Sequence, residues 1–176
     1  MTDTLSLQQK MDAAFRNYLS LSPILQGDLA ALLATETNAS HWRRNFMRAS
    51  AALIEGYVHC LCDMCAISFE CIASEISKDE AEVLKSAGSF SANDRVKFTL
   101  RVAYKLFQLS PSPQFSGNEW PCAQRVLRKR HGLMHPKTPE DLEISDELWT
   151  ELREDVMWLF KQFFDFFALL KEKYDG

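Results

Sequence analysis

Glycine and proline are scarce in this chain, six of each among 176 residues. That scarcity excludes a loop-dominated or collagen-like fold and leaves long stretches free for regular structure. The first eleven residues lack the basic start and apolar run of a signal peptide, because Gln8, Gln9 and Lys10 stand where that run belongs. The most apolar stretch, 156–170, is interrupted by Lys161, Gln162 and Asp165, so it does not read as a membrane span. A cytoplasmic location and no membrane partner are therefore expected. There is no internal repeat and no low-complexity segment. One domain over residues 1–176 is expected, long enough to bury about 70% of the surface of its unfolded chain.

Several kinds of chemistry also lack their residues. There is no G-x-S-x-G elbow, no phosphate-binding glycine loop, no H-E-x-x-H helix and no second histidine pair at metal spacing. The five cysteines are odd in number. Cys62 and Cys65 form a C-x-x-C that His59 would extend, but no second ligand pair follows at zinc-finger spacing. Reduced thiols packed as small hydrophobes on a helix are the expectation, with no metal and no other cofactor.

The net charge of −4 is not that of a general nucleic-acid binder. Acidic residues are, however, wholly missing between Trp120 and Pro139, where Arg125, Arg128, Lys129, Arg130 and Lys137 stand, and they return as a dense run from Glu140 to Asp155. Two readings are open. The basic block is either a solvated helix face beside an acid-rich helix start, or a local positive site on an acidic body, suited to a phosphate backbone.

What is abundant is helical periodicity. Leu7, Met11, Ala14, Phe15, Tyr18 and Leu19 repeat at the helical period behind a Ser6/Gln9 capping box. Ser22-Pro23 offers a cap and a first-turn proline for a separate short helix to about Thr35. Asn38 or Ser40 opens the longest helix, to about Ile76. Ser77 and Glu80 make another capping box for a short helix ending near Gly88, and Ser91 or Asn93 starts one reaching about Leu109. The clearest loop is 110–117. Asn118 would cap the next helix, which must stop between Gly132 and Pro136. Ser145 caps the last helix, with Ile144 and Trp149 as its hydrophobic staple. No β pattern is visible, so the expected fold is an all-α bundle on two long antiparallel helices, 40–76 and the one ending at Arg130, with short helices added at the ends. The last helix is apolar almost all round from Val156 to Leu170, which places it either at the centre of the bundle or against a partner.

The segment Arg130-His131-Gly132-Leu133-Met134-His135-Pro136 sits where a helix must end. Arginine is a permanently charged clamp for phosphate, and histidine moves a proton near neutral pH. A second polar group lies on the long helix. At 100° per residue Arg48, Glu55 and His59 fall within about 60° of Arg44. Leu53, Ile54, Tyr57, Val58, Leu61 and Met64 fall on the other side and should face the core. The polar stripe is either a solvent-facing row of ion pairs or the wall of a cleft beside a phosphate site.

Arg, a polar residue, three more residues and then His-Pro resembles the signature of the HEPN superfamily, whose catalytic members are helical ribonucleases. The Arg43-Arg44 pair followed by an apolar run and Ile54-Glu55-Gly56 is similar to the corresponding long helix of small prokaryotic HEPN proteins. The resemblance covers Arg43 to Pro136 and departs at Lys137, where toxins whose motif continues His-x-Tyr carry a tyrosine that is modified. It implies a homodimer that brings two motifs together and a metal-independent endoribonuclease leaving a 2′,3′-cyclic phosphate. It also implies RNA as partner, and leaves open an antitoxin or phage-defence component as a further one. Arg130 would stabilise the phosphorane and His135 would transfer the proton. His131, Glu55, Arg48 and Arg44 would support them, and Arg125, Arg128, Lys129 and Lys137 would contact RNA. The competing expectations are a HEPN-like module that binds RNA, nucleotide or protein without cutting, and a structural helical dimer.

Overall fold

The computed structural model describes residues 6–35, 37–69, 76–77, 80, 84, 91–113 and 120–175. Among these there are five α-helices and no strand: α1 (Leu7–Ala34), α2 (Ser40–Phe69), α3 (Ala92–Leu106), α4 (Trp120–Met134) and α5 (Asp146–Asp175), with one 3-10 turn at Pro139–Leu142. The all-α bundle is as expected. Its lengths are distributed differently, since the long helices α1 and α5 lie at the ends of the chain and α4 has only 15 residues.

The reason at the N-terminal end is local. The capping box forms, with the Ser6 N–H donating to Gln9 Oε1 at 2.8 Å and the Gln9 N–H to Ser6 Oγ at 3.3 Å. Pro23, however, does not begin a new helix but lies inside α1. Ser22 does not turn back to cap the backbone. It is buried, 3.0 Å from the Tyr57 hydroxyl, and Gln26 donates to that same oxygen at 2.6 Å. Packing of α1 on α2 holds the helix through a residue that cannot donate a backbone hydrogen bond.

α2 is the central element and touches each of the other four helices. Its expected core face, from Leu53 to Met64, is buried together with Trp42, Phe46, Met47, Cys60, Cys62 and Cys65. The thiols pack as interior groups. Burial raises the pKa of Cys65 well above the ordinary thiol range and keeps it protonated. α2, and not the stretch 156–170, is also the helix long and apolar enough to cross a membrane by length and composition. More than half of that window is covered by the protein's own helices. α2 is described from Ser40 to Phe69, and Ile76, where its end was expected, lies in a bend.

The Ser77 and Glu80 capping bonds are both present, at 3.1 and 3.2 Å. Glu80 and Leu84 are helical, and the other residues of that expected helix, with the cap at Asn118, lie outside the described residues. Ser91 caps α3 through the Asp94 N–H, and Ser145 Oγ accepts the Leu148 N–H at the start of α5. Ile144 and Trp149 are both in the core. α5 is not the central helix. It buries Leu152, Val156, Leu159, Phe160 and Phe163 in the core against α4 and α2 and Phe166 against Tyr104 and Phe107 at the end of α3, and leaves Met157 and Phe164 exposed.

Candidate active site

The last bond of α4 runs from the His135 N–H to the His131 carbonyl at 3.0 Å, so both imidazoles stand on one helical row at its C-terminus, as residues i and i+4. Both are exposed, and their ring centroids are 5.2 Å apart. Pro136 then ends the helix. The chain folds back through the 3-10 turn, where the Asp141 carboxylate accepts the N–H groups of Lys137 and Thr138 at 2.8 and 3.1 Å. Those two backbone donors hold the Asp141 carboxyl below its ordinary range.

Arg130 reaches toward α2. Its Nη2 lies 2.5 Å from Glu55 Oε1, the guanidinium being about one-fifth exposed and the carboxylate about half. This contact and that of Arg48 Nη2 with the Leu133 carbonyl at 3.2 Å show that α2 and α4 run antiparallel. The remaining guanidinium donors of Arg130 meet no acceptor among the described residues. The expected stripe on α2 thus faces the end of α4 as far as Glu55. His59, by contrast, turns to Asp63 one turn along its own helix, at 3.6 Å.

The other cations have a shared task that the sequence does not announce. Arg48 takes the Leu133 carbonyl, Lys129 those of Asp141 and Glu143 at 2.8 and 2.5 Å, Arg44 that of Leu142 at 3.4 Å, and Arg43 that of Ile144 at 2.9 Å. Arg43 also pairs with Asp146 and lies over the Trp149 ring. Four side chains from two helices therefore bind carbonyls from 133 to 144, the segment that carries His135, and fix it by charge-assisted bonds. Arg44 and Arg48 thus contact this backbone rather than the side chains of Arg130 or His135. Burial lowers the pKa of Lys129, with Asp141 and Glu143 opposing the shift.

The expected RNA-contact set divides accordingly. Arg125 makes a two-pronged pair with the buried Asp155 on α5, at 2.8 and 2.9 Å, and Lys129 is spent on carbonyls, so neither is turned to the site surface. Arg128 and Lys137 are exposed. Sequence reasoning missed Arg43 and Asp155. A signal existed for Asp155, which falls between Leu152, Val156 and Leu159 on the apolar stripe of α5, where a carboxylate demands a partner. Among the described residues no group of three or more His, Cys, Asp or Glu side chains could hold a metal ion. No family model matches the chain, and neither a curated protein nor a solved structure matches it.

Proposed function

We propose that the chain is a metal-independent endoribonuclease of HEPN type. The observation that carries this reading is the end of α4, where an arginine anchored by one carboxylate stands five residues from an exposed histidine on a backbone fixed by four cations. In the reaction, the ribose 2′-oxygen attacks phosphorus as its proton leaves to a base, and the P–O5′ bond breaks as the 5′-oxygen takes a proton from an acid. The products are a 2′,3′-cyclic phosphate and a 5′-hydroxyl. His135 supplies one of the two proton transfers, and a second copy of the chain supplies the other. Arg130 meets the charge that grows on the phosphoryl oxygens. Glu55 sets the orientation of Arg130 and gives way to phosphate at its exposed side. A toxin–antitoxin or phage-defence setting would suit such an activity in the cytoplasm.

The test is cleavage of a mixed-sequence RNA in the presence of EDTA. Wild-type protein should cut it and leave cyclic phosphate ends, and should not cut the 2′-deoxy analogue. Arg130→Ala and His135→Ala should each lose two to four orders of magnitude in rate, or about 3 to 5 kcal/mol of barrier. Glu55→Ala should lose less. One observation favours a second reading, that of a module that binds RNA without cutting it, namely that the Glu55 ion pair already neutralises Arg130. That reading takes over if wild-type protein leaves RNA intact while both variants bind it as wild type does.

A further inference from the structure

We propose that His131 and His135 form a two-imidazole site for divalent transition-metal ions, and that an ion bound there shuts the reaction off. Two histidines four residues apart on one helical turn present their rings to the same point outside the helix, which is the spacing by which helices grip zinc. The distance fits. An ion about 2.0 Å from one nitrogen of each ring, with a tetrahedral angle between them, sets the ring centroids roughly 5 Å apart, and here they are 5.2 Å apart. The helical bond from the His135 N–H to the His131 carbonyl fixes this register, and the Arg48 and Lys129 contacts hold the backbone on either side. Both rings are exposed, and neither forms an ion pair among the described residues, so their lone pairs are open to an ion from solvent. Among the described residues no third side-chain ligand completes a cluster there. Water fills the other positions, and the ion is exchangeable rather than built in.

Imidazole pairs select by ligand softness and by position in the first-row series, so copper(II) should bind most tightly, nickel and zinc more weakly, and magnesium not at all. The consequence for activity rests on the ribonuclease reading. An ion on His135 occupies the nitrogen that would take up or give the proton, so a reaction that needs no metal becomes one that such metals inhibit.

Binding decides the proposal without reference to activity. Titration calorimetry of the full chain with Cu²⁺, Ni²⁺, Zn²⁺ and Mg²⁺ should show one Cu²⁺, Ni²⁺ or Zn²⁺ per chain and no Mg²⁺ heat. His131→Ala and His135→Ala should each weaken that binding roughly tenfold or more, because each removes one of two linked ligands, with circular dichroism unchanged. His59→Ala should bind as wild type does. Equal binding by wild type and His131→Ala would overturn the site, as would a response to Mg²⁺ matching that to Zn²⁺. If the ions bind as described and RNA cleavage by wild type falls in proportion to occupancy, the inhibitory role stands. Cleavage unaffected at full occupancy overturns that role and leaves the site. A chain that binds the ions but never cuts RNA counts against the ribonuclease reading alone.

Discussion

Arg125 and Arg128 are three residues apart on α4 and look alike in the sequence, yet their energetics should differ sharply. Arg125 covers the nearly fully buried carboxylate of Asp155 with two bonds, whereas Arg128 extends into solvent. Arg125→Ala leaves a buried charge uncompensated and should cost about 3 kcal/mol, read by urea denaturation, while Arg128→Ala should stay within about 0.5 kcal/mol. The site was legible in the sequence to the same unequal degree. That Glu55 shares a face of α2 with Arg44 follows from helical arithmetic, because a spacing of eleven residues returns to the same face, whereas its pairing with Arg130 on another helix does not follow from periodicity. Nor does the diversion of Lys129 and Arg44 to backbone carbonyls, because acceptors on a returning loop carry no side-chain signature. Glu80 gives a prediction in pH. Burial alone would raise its pKa, but the hydrogen bond from Lys105 at 2.6 Å and the Ser77 N–H outweigh it, and the folded value lies below the ordinary one. The stability it contributes is therefore complete above the unfolded carboxylate pKa of about 4.3 and is lost as pH falls through the folded value. Glu80→Gln should be less stable than wild type at pH 6, and the difference should shrink as the pH is lowered to 3. A constant difference across that range would refute the linkage.

Helix α1 shows where element boundaries escape sequence reasoning. Ser22-Pro23 has the local signature of a helix start, and the capping box at Ser6 with the same logic holds, so local chemistry does not separate the two. The difference is tertiary. Tyr57 on α2 draws the Ser22 hydroxyl inward, and Gly56 allows the helices to approach closely there. A Cβ on Gly56 would lie 2.8 Å from Leu25 Cδ1 and 3.2 Å from Leu21 Cδ2, while one on Gly27 would meet nothing within 4 Å. Two glycine-to-alanine changes in helices should thus move in opposite directions. Gly27→Ala should stabilise by about 0.5 to 1 kcal/mol from helix propensity. At Gly56 the same gain is opposed by overpacking of about 1 to 3 kcal/mol, so Gly56→Ala should be neutral to destabilising in thermal unfolding. Equal stabilisation at both would mean that the α1/α2 contact is looser than the leucine distances indicate. The helical character of the chain, the caps at Ser6, Ser91 and Ser145 and the core face from Leu53 to Met64 were readable, because each is set by periodicity or by a residue one turn away.

At the scale of the whole molecule the bundle covers most of its apolar residues but not all. Phe15 and Leu19 on α1 are 43% and 52% exposed, and Met157 and Phe164 on α5 are 58% and 44% exposed. Tyr18 stacks on Phe167 with ring centroids 4.2 Å apart and ties the two helices together beside them. Met134, next to His135, is also about half exposed. One chain supplies a single His135, whereas the proposed cleavage moves two protons, one off the 2′-oxygen and one onto the 5′-oxygen. The exposed apolar side chains suit a contact with another copy of this chain, and in the proposed cleavage that copy's His135 carries the second proton. A homodimer is therefore expected, with twice the 20.2 kDa chain mass in light scattering. Specific activity should fall on dilution through the dissociation range, since each active centre is then divided between two monomers. Met134→Glu should shift the mass toward the monomer if the interface passes beside the motif, and Phe164→Glu if it passes over the aromatic patch. In whichever variant dissociates, cleavage should fall together with the dimer fraction. A variant that is monomeric at micromolar concentration and still cuts RNA at the wild-type rate would show that one His135 suffices, and the second proton would then have to be carried within a single chain.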